Sequence, residues 1–158
     1  MNRDVEKVLK KLEYGVYIVT MGRGQTGNAF TASWLTQVSS EPPLIALAVK
    51  NKHQSSRLIT ESGVFAVNLI SEGQKEFAKT FYGPAESGYK KLDGITLTDT
   101  PTTGSPVLNG AAGYLDCKVI NRLEVGNHIL FIAEVVAAAI NSDKNILTST
   151  NSGLHYAG

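Results

Sequence analysis

Between Lys50 and Arg57 the chain reads KNKHQSSR, and these eight residues gather much of its capacity for binding chemistry. Lys50, Lys52 and Arg57 bring positive charge, Ser55 and Ser56 bring hydroxyls, and an apolar run, PLIALAVK, gives way here to a segment whose helix starts near residues 53–55. A helix start aims backbone N–H groups and the positive end of its dipole outward, so this junction suits a phosphate. It also suits a solvated connector with a serine N-cap. A second polar concentration lies in FTASWLTQVSS, residues 30–40, where Thr31, Ser33, Thr36 and Ser39 fall on or near one face of a strand. Hydroxyls and strand amides so placed can hydrogen-bond a flat heteroaromatic ring, although threonine is also an ordinary strand residue.

Other catalytic constellations are missing. The chain has no G-x-S-x-G, H-E-x-x-H, C-x-x-C or Walker loop, and His53, His128 and His155 have no metal-ligand spacing, so no metal site is expected. Redox chemistry remains open to such a chain, because a cofactor can supply the electrons.

Gly22, Gly24 and Gly27 spell G-x-G-x-x-G after the strand-like YGVYIVT, which raises the question of a dinucleotide loop. That fold requires the third glycine to open a helix holding the pyrophosphate. The residues after Gly27 instead alternate with a period of two, Phe30, Ala32, Trp34, Thr36 and Val38 on one side, and end at Pro42-Pro43. Period two with β-branched and aromatic residues marks a strand. Glu41 lies near the distance expected of a ribose-binding acid but directly precedes the two prolines. The glycines are read as a hairpin turn.

These residues need a frame. A chain of 158 residues, 42% hydrophobic and 18% charged, is expected to form one domain, residues 1–158, with a real core. A net charge of +1 offers no electrostatic pull toward nucleic acid or an anionic membrane. The longest apolar run, residues 129–140, contains Glu134 and falls short of the roughly 20 residues of a membrane helix. With one cysteine, Cys117, and no apolar leader at the N-terminus, a reducing, cytoplasmic setting is expected.

Val5, Val8, Leu9 and Leu12 predict a short amphipathic helix. Six strands come next, at 14–20, 29–39, 43–50, 64–70, 113–125 and 128–140, with short helices after Lys50 and within EGQKEFAKTFYG, the latter closed by Gly83. Residues 84–106 form a long Gly-, Thr- and Pro-rich loop, and Gly126-Asn127 joins the last two strands. Strand hairpins in this proportion predict an antiparallel barrel with a few flanking helices. Residues 129–140 are apolar on both faces for most of their length, which a covering helix or a second subunit would explain; the second subunit is favoured.

Taken in order, TASWLTQVSSEPPLIALAV, K-x-x-x-x-S from Lys50 to Ser55, and SGVFAVNLI resemble the flavin reductase family. FAKTFYG (77–83), GSPVL (104–108) and VGNHILFIAEV (125–135) extend the resemblance over residues 14–136, most of the chain. It implies a mainly β fold, a six-stranded antiparallel Greek-key split barrel that binds FMN, or sometimes FAD, usually as a homodimer. By position, Asn28, Phe30, Thr31, Ala32, Ser33 and Trp34 would line the flavin ring and ribityl chain, and Lys50, His53, Gln54 and Ser55 would approach the phosphate. His128 matches the histidine of the family's G-D-H motif, which is associated with nicotinamide binding, and Asn127 stands where that motif has Asp. The implied activity is hydride transfer from NAD(P)H to flavin, with reducing equivalents passed to a redox protein or monooxygenase. A non-enzymatic FMN electron carrier, reduced by another redox protein, is the alternative; a flavinless ligand-binding barrel is a third class. His155 and Tyr156 lie in a tail that could close over the site or remain an ordinary surface terminus.

Overall fold

The strands on either side of the glycine-rich stretch pair as a hairpin in the computed structural model, which describes residues 1–22, 26–82, 92 and 94–156. Strand β1 (Tyr17–Met21) pairs antiparallel with β2 (Asn28–Ala32), Met21 opposite Asn28. Gly22 adopts a φ of +69°, and a Cβ there would lie 2.3 Å from the Thr26 carbonyl oxygen, so the turn requires glycine. The third glycine thus leads into a strand and opens no helix; Gly24 lies outside the described residues.

β3 (Leu35–Ser40) and β4 (Pro43–Lys50) form the next hairpin, across a cis Glu41–Pro42 peptide. α2 (Gln54–Ser62) follows α1 (Arg3–Leu9) in chain order and stops at Gly63, whose φ of +70° closes the helix in the left-handed region. β5 (Val64–Leu69) leads through a 3-10 turn to α3 (Lys75–Thr80). Two short strands, β6 (Leu97–Asp99) and β7 (Pro106–Leu108), interrupt the expected long loop. β8 (Gly113–Val125) and β9 (His128–Ile140) form the long hairpin, and α4 (Ser149–Ser152) precedes the tail. Residues 83–91 and 93, including the expected helix stop at Gly83, lie outside the description.

The principal sheet is antiparallel with the order β2-β1-β5-β8-β9-β4-β3, and β6 pairs with β7 apart from it. The expected mainly β, antiparallel class with few helices is therefore present, with a corrected count: seven strands in the main sheet where six were expected. The extra strand comes from residues 29–39. They divide at Ser33-Trp34 because β2 pairs with β1 whereas β3 pairs with β4, at opposite ends of the sheet order. Seven strands laid flat would separate those edges by about 29 Å. The link from Ala32 to Leu35 spans at most about 11 Å. The sheet must therefore curl until its edges meet, and because no ladder joins β2 to β3 the resulting barrel is split there.

The barrel interior is filled by Val19, Met21, Leu47, Phe65, Val67 and Phe131, closed at one end by Ile59 of α2. Ile18 of β1 and Val16 just before it face the other way and join Ala78, Phe81, Leu108 and Leu147 in a second core under α3. Asn68 ties this outer layer down. Fully buried, it donates to the Ile18 carbonyl (2.9 Å) and Thr20 Oγ1 (3.0 Å), and its Oδ1 accepts from the Leu108 amide at 2.8 Å. Asp116, also fully buried, accepts from the amides of Thr102 (3.2 Å) and Thr103 (3.0 Å) and from the Thr103 hydroxyl. The periodicity of α1 does give a helix, capped by Asn2, yet its apolar stripe stays in solvent in the single chain: Val8 is 67% exposed. Among the described residues, no helix is long and apolar enough to cross a membrane.

Candidate functional site

The crossing from β2 to β3 presents Trp34. The Leu35 amide donates back to the Ser33 carbonyl at 3.0 Å, a γ-turn centred on Trp34, and the Trp34 carbonyl accepts from the Ala48 amide of β4 at 3.0 Å. The indole lies against His128, ring centroids 4.8 Å apart, and edge-on to Tyr156 of the C-terminal tail at 5.0 Å. Trp34 Nε1 is a buried donor with no hydrogen-bond partner among the described residues. A buried N–H left unpaired costs of order 1–3 kcal/mol, so this atom marks a place where an acceptor belongs.

His128 starts β9 directly opposite Lys50, the last residue of β4, and the Asn51 amide donates to the Asn127 carbonyl at 3.0 Å. The imidazole is 6% exposed. Its Nδ1 is 2.6 Å from Asn127 Oδ1, and its Nε2 is 3.2 Å from the Tyr156 hydroxyl. A carboxamide oxygen can only accept, so Nδ1 carries the proton and Nε2 accepts from Tyr156. Burial, then Lys50, then His53 hold the His128 pKa below the usual histidine value, which keeps the ring neutral near pH 7.

The phosphate-like junction sits beside this pair. His53 occupies the N-cap of α2 with extended backbone and forms no capping hydrogen bond through its side chain. Ser56 turns inward, its hydroxyl 2.8 Å from the His53 carbonyl and 3.0 Å from that of Asn51. The serine cap of the connector reading is therefore not used. Ser55 is buried and accepts from Asn28 Nδ2 at 2.9 Å, which ties the start of β2 to the first turn of α2. His53 and Gln54 are exposed and Lys50 is half-buried.

The structure thus brings Asn28, Trp34, Lys50, His53, Gln54, Ser55 and His128 to one end of the barrel. It disperses the expected hydroxyl row. Phe30 and Ala32 pack against the barrel core, whereas Thr31 faces outward, its hydroxyl donating to the Ala78 carbonyl at 2.6 Å. Ser33 is buried at the crossing, and Thr36 is exposed and makes only a 3.4 Å contact to the Gln37 carbonyl. The break at Ser33-Trp34 and a register shift between Gln37 and Ser39 rephase the strand, so a straight period of two no longer predicts which side chains share a face.

Two participants are less visible in the sequence. Asn127 stands out there only as a departure from a motif, yet it sets the His128 tautomer. Tyr82, whose hydroxyl donates to the His155 carbonyl at 3.3 Å, holds the tail, and no spacing pattern links residues so far apart in the chain. Among the described residues no group of three or more His, Cys, Asp or Glu could hold a metal ion.

This arrangement fits a flat, anionic cofactor such as a flavin nucleotide. Lys50 and the start of α2 suit its phosphate, and the unpaired indole N–H and neighbouring His128 suit a polar ring.

Comparison with known proteins is consistent with that chemistry. A family model described as a flavin reductase like domain matches residues 9–158. The chain is 33% identical over 157 residues to the ferric-chelate reductase (NAD(P)H) of Archaeoglobus fulgidus, covering 98% of this chain and 92% of that protein. It is 31% identical over 140 residues to diflavin flavoprotein A 1 of Synechocystis, covering 85% of this chain but only 24% of that protein. The chain spans about a quarter of the length of the cyanobacterial diflavin flavoproteins it matches. Among solved structures, a putative flavin reductase from Haemophilus somnus superposes with a TM-score of 0.87 at 25% identity, over 99% of this chain and 98% of that one.

The electrostatics of His128 lead to a pH prediction. In an NMR titration its ring should have a midpoint below the ordinary histidine value of 6.5. Lys50→Met should raise that midpoint only part of the way, because burial, the larger cause, remains. Since the folded pKa lies below the unfolded one, stability falls as pH drops below the ordinary histidine range, and His128→Gln should flatten that fall in thermal melts. An unshifted midpoint in the parent protein contradicts this electrostatic picture.

Proposed function

Because this chain belongs to the flavin reductase-like family, we propose that it is an FMN-binding oxidoreductase that transfers hydride from NAD(P)H to flavin and supplies reducing equivalents to a partner redox protein or monooxygenase. The observation that carries this reading is the adjacency of a cationic pole at the start of α2, Lys50 to Ser55, to an aromatic pole, Trp34 and His128, with an indole N–H that has no partner among the described residues. A flavin held there would supply the two-electron redox chemistry.

The chain's own residues position the reactants and exclude water. The strand from Asn28 through Phe30, Thr31, Ala32 and Ser33 to Trp34 would run beside the ring and ribityl chain, with Phe30 and Ala32 supporting it from the barrel core and Thr31 from the outer layer. Lys50, His53, Gln54 and Ser55 receive the phosphate, with Ser55 held in place by Asn28. His128 faces the nicotinamide side. Its neutral Nε2, an acceptor by virtue of Asn127, hydrogen-bonds a carboxamide N–H and steadies the nicotinamide for transfer. A catalytic acid or base is unnecessary for hydride transfer, which suits a site whose one central titratable group is held neutral.

The alternative, an FMN electron carrier reduced by another redox protein, is supported by a specific observation: Tyr156 already occupies His128 Nε2. Anaerobic mixing with NADH or NADPH separates the two readings. Rapid bleaching of the flavin absorbance supports the reductase, and an unbleached flavin favours the carrier. In the same experiment His128→Ala should retain FMN yet reduce about tenfold more slowly at limiting nucleotide, the loss expected from one hydrogen bond. A variant as fast as the parent across the nucleotide range removes His128 from the reaction.

The phosphate pole has its own test. Ser55→Asp, which sets a negative charge against the phosphate, should weaken FMN binding by about tenfold or more and spare riboflavin. Equal affinity of the parent protein for riboflavin and FMN overturns this phosphate site.

A homodimer completes the proposal. Exposed Ile120, Leu123 and Val125 on β8 and Val38 on β3 lie on strands of one contiguous stretch of sheet, β8-β9-β4-β3, and Leu130, Ile132 and Val136 of β9 are only half-buried between them. A second copy would cover such apolar surface. Light scattering at micromolar concentration should give twice the chain mass; a monomer mass rules the dimer out.

A further inference from the structure

The C-terminal tail is fastened to the barrel almost to its end. Leu147 is fully buried, its amide donates to the Ile70 carbonyl at 2.7 Å, and the Val16 amide donates to the Leu147 carbonyl at 2.8 Å. Thr148 and Asn151 exchange a capping box that starts α4, and Ser149 is bonded to Tyr14 through both its amide and its hydroxyl. Leu154 packs against the second core. Beyond it the attachments are few: the Tyr82 hydroxyl to the His155 carbonyl, the Tyr156 hydroxyl to His128 Nε2, and the Tyr156 ring edge-on to Trp34 and to the His128 ring.

The Tyr156 contacts are of the kind a nicotinamide would make. Its ring lies edge-on to Trp34, and its O–H satisfies the lone pair that Asn127 leaves on Nε2. A nicotinamide likewise offers a flat ring and, in its carboxamide, an N–H donor. Resting on the function proposed above, we propose that Tyr156 is an internal occupant of the nicotinamide side of the site, and that the incoming nicotinamide displaces it. Displacement breaks two hydrogen bonds and two ring contacts and leaves the anchors up to Leu154 in place. The tail therefore sets the apparent affinity for the nucleotide: the site binds only in the fraction of molecules whose tail is out.

The chain's single tryptophan, Trp34, reports on this contact by its fluorescence. The experiment uses the purified full-length protein with its bound flavin, the variants Tyr156→Ala and Tyr156→Phe, and NAD+ as the probe, since NAD+ cannot reduce the flavin. Without nucleotide, Tyr156→Ala should shift Trp34 emission to longer wavelength. By calorimetry it should bind NAD+ on the order of tenfold more tightly than the parent, with Tyr156→Phe between the two because it keeps the ring and loses the O–H. Matching melting curves would show that the tail variants remain folded. An unshifted emission spectrum overturns the contact, and an NAD+ affinity that is unchanged or weaker in Tyr156→Ala overturns the displacement. If the parent is reduced by NADH while the affinities are equal, only the role of the tail fails. If neither protein binds NAD+ and NADH leaves the flavin oxidised, the nicotinamide reading fails with it.

Discussion

Everything at the site depends on one constraint: a two-residue link joins the two edges of a seven-stranded sheet. The link forces the sheet to close, and because β2 and β3 bond to different neighbours, it also forces a break in the hydrogen-bond ladder. That break is where Trp34 meets His128 and Tyr156, its buried N–H without a partner among the described residues. Closure then brings the end of β4, the start of β9 and the first turn of α2 to the same rim, so residues far apart in sequence meet without a dedicated catalytic loop.

The second controlling element is the electrostatic neighbourhood of the rim. Lys50 and the α2 start favour an anion, while burial first, and then Lys50 and His53, disfavour a charged imidazole at His128. One arrangement thus prepares two different subsites, one for negative charge and one for a neutral acceptor. Asn127 fits this division. A carboxylate in its place would favour a protonated imidazole and turn Nε2 into a donor, whereas the carboxamide preserves its lone pair.

Much of the frame was legible in the sequence because each strand carried its own periodicity and its own punctuation. PLIALAVK, GYLDCKVINRLEV and HILFIAEVVAAAI have the observed boundaries of β4, β8 and β9, and Gly63 closes α2 where a left-handed residue was needed. The division at Ser33-Trp34 was not legible. Both halves alternate with the same period, and the break arises from which strands they pair with, a long-range fact with no local mark. The same reason hid the outward role of Thr31 and the meeting of Tyr82 with His155. At the site, the charged junction at Lys50–Ser55 could be read from residue types alone. The association of Trp34 with His128 and Tyr156 could not, because barrel closure creates it.

Cys117 lies in the barrel core, fully buried, and burial with the neighbouring Asp116 pushes its thiol up to about 12. At neutral pH only about one molecule in a hundred thousand would carry a thiolate there. Reduced flavin exposed to air generates peroxide, and peroxide attacks thiolates first. A chain whose one thiol is both hidden and protonated offers peroxide little thiolate to attack. Such a protein should resist thiol damage in air and should need no added thiol reductant in storage.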